Sequence, residues 1–331
     1  MSRAPGNINL AIVGCGRAAT NHARTAADCG FNIVVCADPI RARATRLAKQ
    51  FNAKSVERPK EAIHHSSVDA VLVASPADTH HRHVIDALNA EKAVFCETPL
   101  ANSTARCRKI AEVATRADMK LFVAQPFQYS RPCLAIQSQL ESGAIGTPGS
   151  LRTFRGWPMP KRVNKTDREA SGGPVYDVLI HDFGWICAAF GAPLSVFCQI
   201  TPPSKTKPGI HALTTVVLES GLIAQCIGSW AYSRPQCRIE LCGTEGVIQF
   251  NSLDGPISPQ APESGETDPT LRGQSDSEQW RAFRAWIEDD STPQIGLFAA
   301  SHAVSIAEAA VKSARTKRRI IISTIHEENI A

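Results

Sequence analysis

The stretch INLAIVGCGRAATNHARTAADCG, residues 8–30, decides the fold. A largely apolar run ends at Val13, two glycines follow at 14 and 16, and an alanine-rich, helix-forming segment begins at once. Such a strand, glycine turn and helix suit the binding of a pyrophosphate. Gly14 permits the tight turn, Gly16 lets the backbone come close to the phosphates, and Ala18 or Ala19 lets the helix pack tightly. The helix start supplies free N–H groups and the positive end of its dipole. A Gly-x-Gly by itself is weak; its place at the first strand–helix junction of a longer alternation gives it weight.

That alternation continues outward. FNIVVCADP, VDAVLVASP, KAVFCE and KLFVAQ read as four more buried strands, separated by the helical stretches RARATRLAKQF, ADTHHRHVIDALNAE and STARCRKIAEVATRADM. Strands that are apolar throughout and alternate with helices predict an α/β fold, a doubly wound parallel sheet of the Rossmann kind, over residues 1–125. After about residue 126 the rhythm changes. A helix (PCLAIQSQLESG), a polar basic loop and a long helix (PVYDVLIHDFGWICAAFG) precede the strand-like runs LSVFCQI, HALTTVVLES, LIAQCIGSWAYS, QCRIELCGT and GVIQF. Glu219-Ser220-Gly221 reads as a tight hairpin. Residues 126–331 are therefore expected to form an α+β domain with a largely antiparallel open sheet. Residues 251–279, rich in Pro, Gly and Ser, read as a surface loop before two closing helices.

The 331 residues fit two domains. A net charge of +5, with Lys and Arg dispersed among acids, argues against a nucleic-acid partner. The eleven cysteines include no Cys-x-x-Cys pair, and several lie in apolar strands. With no apolar run of membrane-spanning length and no secretory signal pattern at the start, free thiols and a cytoplasmic location are expected, away from any membrane.

Two sets of polar residues carry candidate chemistry. Asp38 closes the second strand about twenty residues after the glycines, where an acid binds the adenosine ribose and repels a 2′-phosphate, so NAD is expected over NADP. Arg41 and Arg43 would soften that exclusion, and the alternative is that Asp38 only starts the DPIRAR turn. On the long helix, Asp177 and His181 stand one turn apart, with Asp182 about 100° around. A carboxylate there can orient an imidazole that takes a hydroxyl proton while hydride leaves the adjacent carbon. By spacing alone the pair also reads as a surface ion pair. His80, His81 and His83 have no local carboxylate or Cys to complete a metal set, so no metal is expected.

The segments GCGRAATNHA, VLVASPADTHHRHVIDAL, AVFCETPLANS, LESGAIGTPGSLR and GGPVYDVLIHDFGW, in that order, resemble the Gfo/Idh/MocA family of nicotinamide-dependent sugar and polyol oxidoreductases. The resemblance covers nearly the whole chain. It implies that Gly14, Gly16, Arg17, Ala18 and Asp38 hold the dinucleotide, with Ser75, Pro76 and His80 at the third predicted strand end and Glu97 at the fourth. It implies that Asp177 and His181 are the substrate-binding and acid/base pair, and that a homodimer or homotetramer forms. Where the family usually has Glu-Lys-Pro, with the Lys on the reacting hydroxyl, this chain has Glu97-Thr98-Pro99; Thr98 is left to give one neutral hydrogen bond. Gly184 stands where inositol dehydrogenases carry another Asp.

Three functions fit this site: a dehydrogenase relying on His181, a glycosidase that uses bound NAD transiently for oxidation and elimination, and a non-catalytic NAD- and sugar-binding sensor. In the loop before the catalytic helix, Arg155, Lys161, Arg162, Lys165 and Arg168 suit an anionic group on the sugar or polyol, or form a solvated basic loop. Trp157 would offer a flat face to a sugar ring, or pack beneath the loop.

Overall fold

The computed structural model describes residues 8–160, 173–201, 210–253, 270–291 and 296–323. The chain divides into two compact units, Met1–Pro126 with Arg272–Ser301 and Phe127–Leu271 with His302–Ile325.

In the first unit, β1 (Ile8–Val13) is the centre of a six-stranded sheet. It pairs in parallel with β2 (Phe31–Ala37) on one side and β4 (Ala70–Val73) on the other. The remaining strands are β3 (Lys54–Val56), β5 (Ala93–Cys96) and β6 (Leu121–Val123), giving the order β3-β2-β1-β4-β5-β6. Every residue of β4 and β5 is buried, as the uninterrupted apolar runs require. The short edge strand β3 is absent from the sequence reading: Lys-Ser-Val has one buried residue and no pattern to read. The strand order reverses between β1 and β4, the kind of switch point at which open parallel sheets hold their ligands.

A late segment completes this unit. The helix Thr270–Asp289 occupies part of the stretch 251–279 that reads as a loop; residues 254–269 lie outside the described ones. Its polar first half carries no apolar period, which hides the helix. Its second half sets Trp280 flat on Phe95 of β5, with ring centroids 4.1 Å apart and planes 4° from parallel. Phe95 stacks in turn on Phe122 of β6. Aromatic pairs of this kind contribute about 0.5–1.5 kcal/mol each beyond their buried area.

In the second unit, β7 (Pro148–Pro158) lies inside a seven-stranded mixed sheet. It pairs in parallel with Ile223–Ser229 and antiparallel with Ala231–Gly243; the other pairings of this sheet are antiparallel. The strand His211–Leu218 alternates between the two faces and turns into Ile223–Ser229 through the expected hairpin, with Gly221 at φ +88°. The long helix runs as a π-helical turn over Val175–Leu179 and then as α-helix over Ile180–Phe190. It lies so close to the sheet that a Cβ at Gly228 would sit 2.8 Å from Leu179 Cγ. That glycine lets the turn bearing Asp177 settle onto the strand.

All eleven cysteines are free thiols. Among the described residues no helix is long and apolar enough to cross a membrane, and no cluster of three metal-ligating side chains occurs.

Candidate active site

The first unit builds a cradle from its glycines. Gly14 has φ +89°, and a Cβ there would stand 2.6 Å from both Ala74 O and Ser75 N. The turn is thus pressed against the loop that follows β4, and only glycine meets both demands. Gly16 is the opposite case: a Cβ there would meet nothing within 4 Å. The helix Arg17–Asp28 starts at Gly16 with no side-chain cap and no acid in its first turn. Arg17 and Ala18 are exposed at that start. Open space before uncapped N–H groups at a positive dipole end fits the pyrophosphate of a dinucleotide.

Asp38 is 5 % exposed. Its Oδ2 accepts the Cys15 N–H at 2.9 Å and its Oδ1 accepts the Ile40 N–H at 2.8 Å. The carboxylate therefore ties the glycine loop to the end of β2 and does start the following turn. Each oxygen keeps a lone pair for a ribose hydroxyl. Asp38→Ala is expected to weaken NAD binding by roughly tenfold or more, through the loss of two charge-assisted bonds, and to narrow the preference for NAD over NADP. Paired titrations check this; equal losses for both dinucleotides would leave Asp38 as a loop anchor alone.

The ends of β4 and β5 are locked by side chains. Thr79 Oγ1 donates to Pro76 O at 2.7 Å, so the Ser75 hydroxyl is the donor in its 2.7 Å bond to Thr79 Oγ1. His80 lies between the loops that follow β4 and β5. Its ring is 2 % exposed, with nitrogens 2.7 Å from Ser75 O and 2.9 Å from Pro99 O. The Thr98 hydroxyl donates to Ala124 O. Glu97 is held by a residue that the sequence did not single out: His22 Nε2 lies 2.8 Å from Glu97 Oε1.

In the second unit, Asp177 and His181 lie one turn apart, and Asp177 is reached by an unforeseen partner, the Trp230 indole, whose N–H donates to Asp177 Oδ2 at 2.9 Å. Asp177 keeps a solvent-exposed face, yet protein crowds its carboxyl; that desolvation raises its pKa, and the indole N–H acts in the opposite direction. His181 is half-buried.

Arg155 is not the exposed lid cation that the basic loop suggested. It is 7 % exposed, its Nε lies 2.6 Å from Asp182 Oδ1, and its guanidinium covers the Phe127 ring at 3.6 Å. Asp182 is fully buried and also accepts from Thr153 Oγ1 at 3.2 Å. Burial pushes the Asp182 carboxyl up, and Arg155 pulls it back only in part. Burial likewise disfavours the Arg155 charge, but Asp182 more than restores it. We take the pair as ionised, because a guanidinium does not give up its proton and the carboxylate touches it directly. Asp182, directly after His181, has no assigned role in the sequence, where nothing reveals a buried partner. Trp157 is half-buried in β7, while Lys161, Arg162, Lys165 and Arg168 lie outside the described residues.

The chain also matches known proteins. The family profile described as oxidoreductase family, NAD-binding Rossmann fold, matches residues 8–125, and the Gfo/Idh/MocA C-terminal domain profile matches residues 133–249. An inositol 2-dehydrogenase of Acidothermus cellulolyticus is 33% identical over 262 residues, 74% of this chain and 73% of that protein. A myo-inositol 2-dehydrogenase of Thermotoga maritima is 32% identical over 178 residues; there the match spans about half of either protein, 53% of each. The crystal structure of GenD2 from gentamicin A biosynthesis, in complex with NAD, matches with a TM-score of 0.85 over 98% of both chains; at 23% identity the likeness is one of fold.

Proposed function

Because the chain belongs to the Gfo/Idh/MocA family of oxidoreductases, we propose that it transfers hydride between NAD and a secondary carbinol carbon of a sugar, polyol or sugar acid. The observation that carries the reading is the second unit's helix: it sets a carboxylate, steadied by Trp230, one turn before His181 in a chain whose first unit is a NAD-binding domain. NAD, when bound, supplies the hydride acceptor. His181 takes the hydroxyl proton in oxidation and returns it in reduction. Asp177 accepts hydrogen bonds from the substrate and favours the charged imidazole. Thr98 carries no charge, so a developing alkoxide gains none from that position, and His181 is the group left to take the proton. The relatives named as inositol dehydrogenases make cyclic polyols the first compounds to try.

The uncharged position at Thr98 also favours a second reading, a glycosidase that oxidises, eliminates and returns the hydride. One assay separates the readings: incubate the protein with NAD and a panel of inositols, sugars, sugar acids and glycosides, and follow the reduced-nicotinamide absorbance alongside aglycone release. NADH in amounts matching product is the expected result. Aglycone release with catalytic NAD and no net NADH would replace the dehydrogenase with the glycosidase. Ligand binding with neither reaction would leave a sensor.

A further inference from the structure

We infer that His22 is a positioning residue for cofactor binding: a neutral imidazole, locked as its Nε2–H tautomer by Trp280, that sets the Glu97 carboxylate at the end of β5. The inference rests on the first unit's binding of NAD and on the proposed cofactor contact of the Glu97–Thr98 segment. No motif in the sequence gives His22 a role; there it is one residue of a helix following a glycine turn.

The geometry leaves little choice of tautomer. Trp280 Nε1 is 3.1 Å from His22 Nδ1, and an indole nitrogen only donates. Nδ1 must therefore accept, and the ring hydrogen sits on Nε2, 2.8 Å from Glu97 Oε1. Glu97 Oε2 accepts the Thr98 N–H at 3.2 Å, so the carboxylate receives the indole–imidazole relay on one oxygen and a backbone N–H on the other. Its surroundings make each link count. His22 is 8 % exposed, and its ring lies against Phe95 at 5.3 Å and Trp280 at 5.9 Å between centroids. A hydrogen bond to a carboxylate in such an apolar setting is stronger than one in water.

The relay also joins three parts of the chain that serve the cofactor differently. His22 lies on the helix whose start forms the phosphate cradle, Glu97 follows the strand beside the switch point, and Trp280 comes from the late helix. One ring thus couples the position of the Glu97–Thr98 segment to that of the cradle helix. Holding a polar contact in place before the ligand arrives is how such a residue raises affinity without touching it.

The test uses the full-length protein, NAD as ligand, and two independent readouts. Ring 15N chemical shifts of His22, assigned by its loss in His22→Gln, should show Nε2 protonated and Nδ1 unprotonated. Trp280→Phe keeps the packing but removes the donor, and should mix the tautomers. In NAD titrations, His22→Leu should weaken binding by roughly tenfold. His22→Gln, whose amide can still donate to Glu97, should recover most of that loss. Adding Glu97→Gln to His22→Leu should cost little more, because the two side chains act as one unit. An Nδ1–H ring would overturn the inference at once. So would full NAD affinity in a folded His22→Leu protein, or equal losses in the Leu and Gln variants, which would mark His22 as packing alone. Failure of the unsubstituted protein to bind NAD would instead remove the cofactor reading, while the ring shifts would still report on the relay.

Discussion

His181→Ala is expected to lower kcat by roughly 10²–10⁴-fold, the range for loss of a positioned acid/base, while the Kd for NAD stays nearly unchanged. The two effects separate because His181 sits in the second unit and the phosphate cradle is built by the first. Steady-state rates with the substrate found above, alongside NAD titration, make the comparison. Near-full activity in the alanine variant would mean that another group takes the proton. The pH profile adds an independent check. Burial raises the Asp177 carboxyl above its ordinary value and the Trp230 N–H restrains that rise. If the carboxylate is the working form, activity falls as pH drops through the raised pKa. Trp230→Phe removes the restraint, so the acid limb of kcat/KM should move to higher pH, with the basic limb staying in place.

Asp182→Ala is expected to destabilise the second unit by about 3–5 kcal/mol, because it leaves the Arg155 guanidinium charged and buried without its partner. Thermal unfolding should register this as a drop on the order of 10 °C. The paired variant Arg155→Met with Asp182→Leu should recover much of the loss, since two apolar side chains of similar volume need no charge compensation. A single variant as stable as the unsubstituted protein would show that water reaches Arg155 and that the pair is not sealed. Activity is a further readout, because Asp182 follows His181 directly and anchors that turn of the helix to β7.

The glycine turn between β1 and the following helix is legible in the amino-acid sequence because its geometry is local. A backbone that approaches phosphate needs glycines at set distances from a strand end and a helix start, and that spacing is written in consecutive residues. Asp38 is legible for the same reason, although its two backbone hydrogen bonds are not. The parallel sheet follows from unbroken apolar runs, which tell of burial on both faces. The same reasoning misses β3, whose three residues carry no pattern, and the first half of the late helix, whose polar residues resemble a loop.

Partners are where sequence reading stops. Asp177 meets Trp230 across 53 positions, and His22 meets Trp280 across 258. No periodicity spans such separations, because the contacts come from strand order and helix docking. Thr98 shows the same boundary within the most legible motif. Its identity, and the absence of charge there, are plain from the chain alone. That its single hydroxyl hydrogen is directed to Ala124 is a matter of neighbouring strand ends meeting in space. Arg155 is the counterpart in the second unit: a cation in a basic stretch by sequence, a buried ion-pair partner by structure. Residue type and local spacing thus determined the fold class and the chemistry available to each unit. Tertiary structure alone decided which side chains meet, because those contacts join residues far apart in the chain through strand order and helix docking.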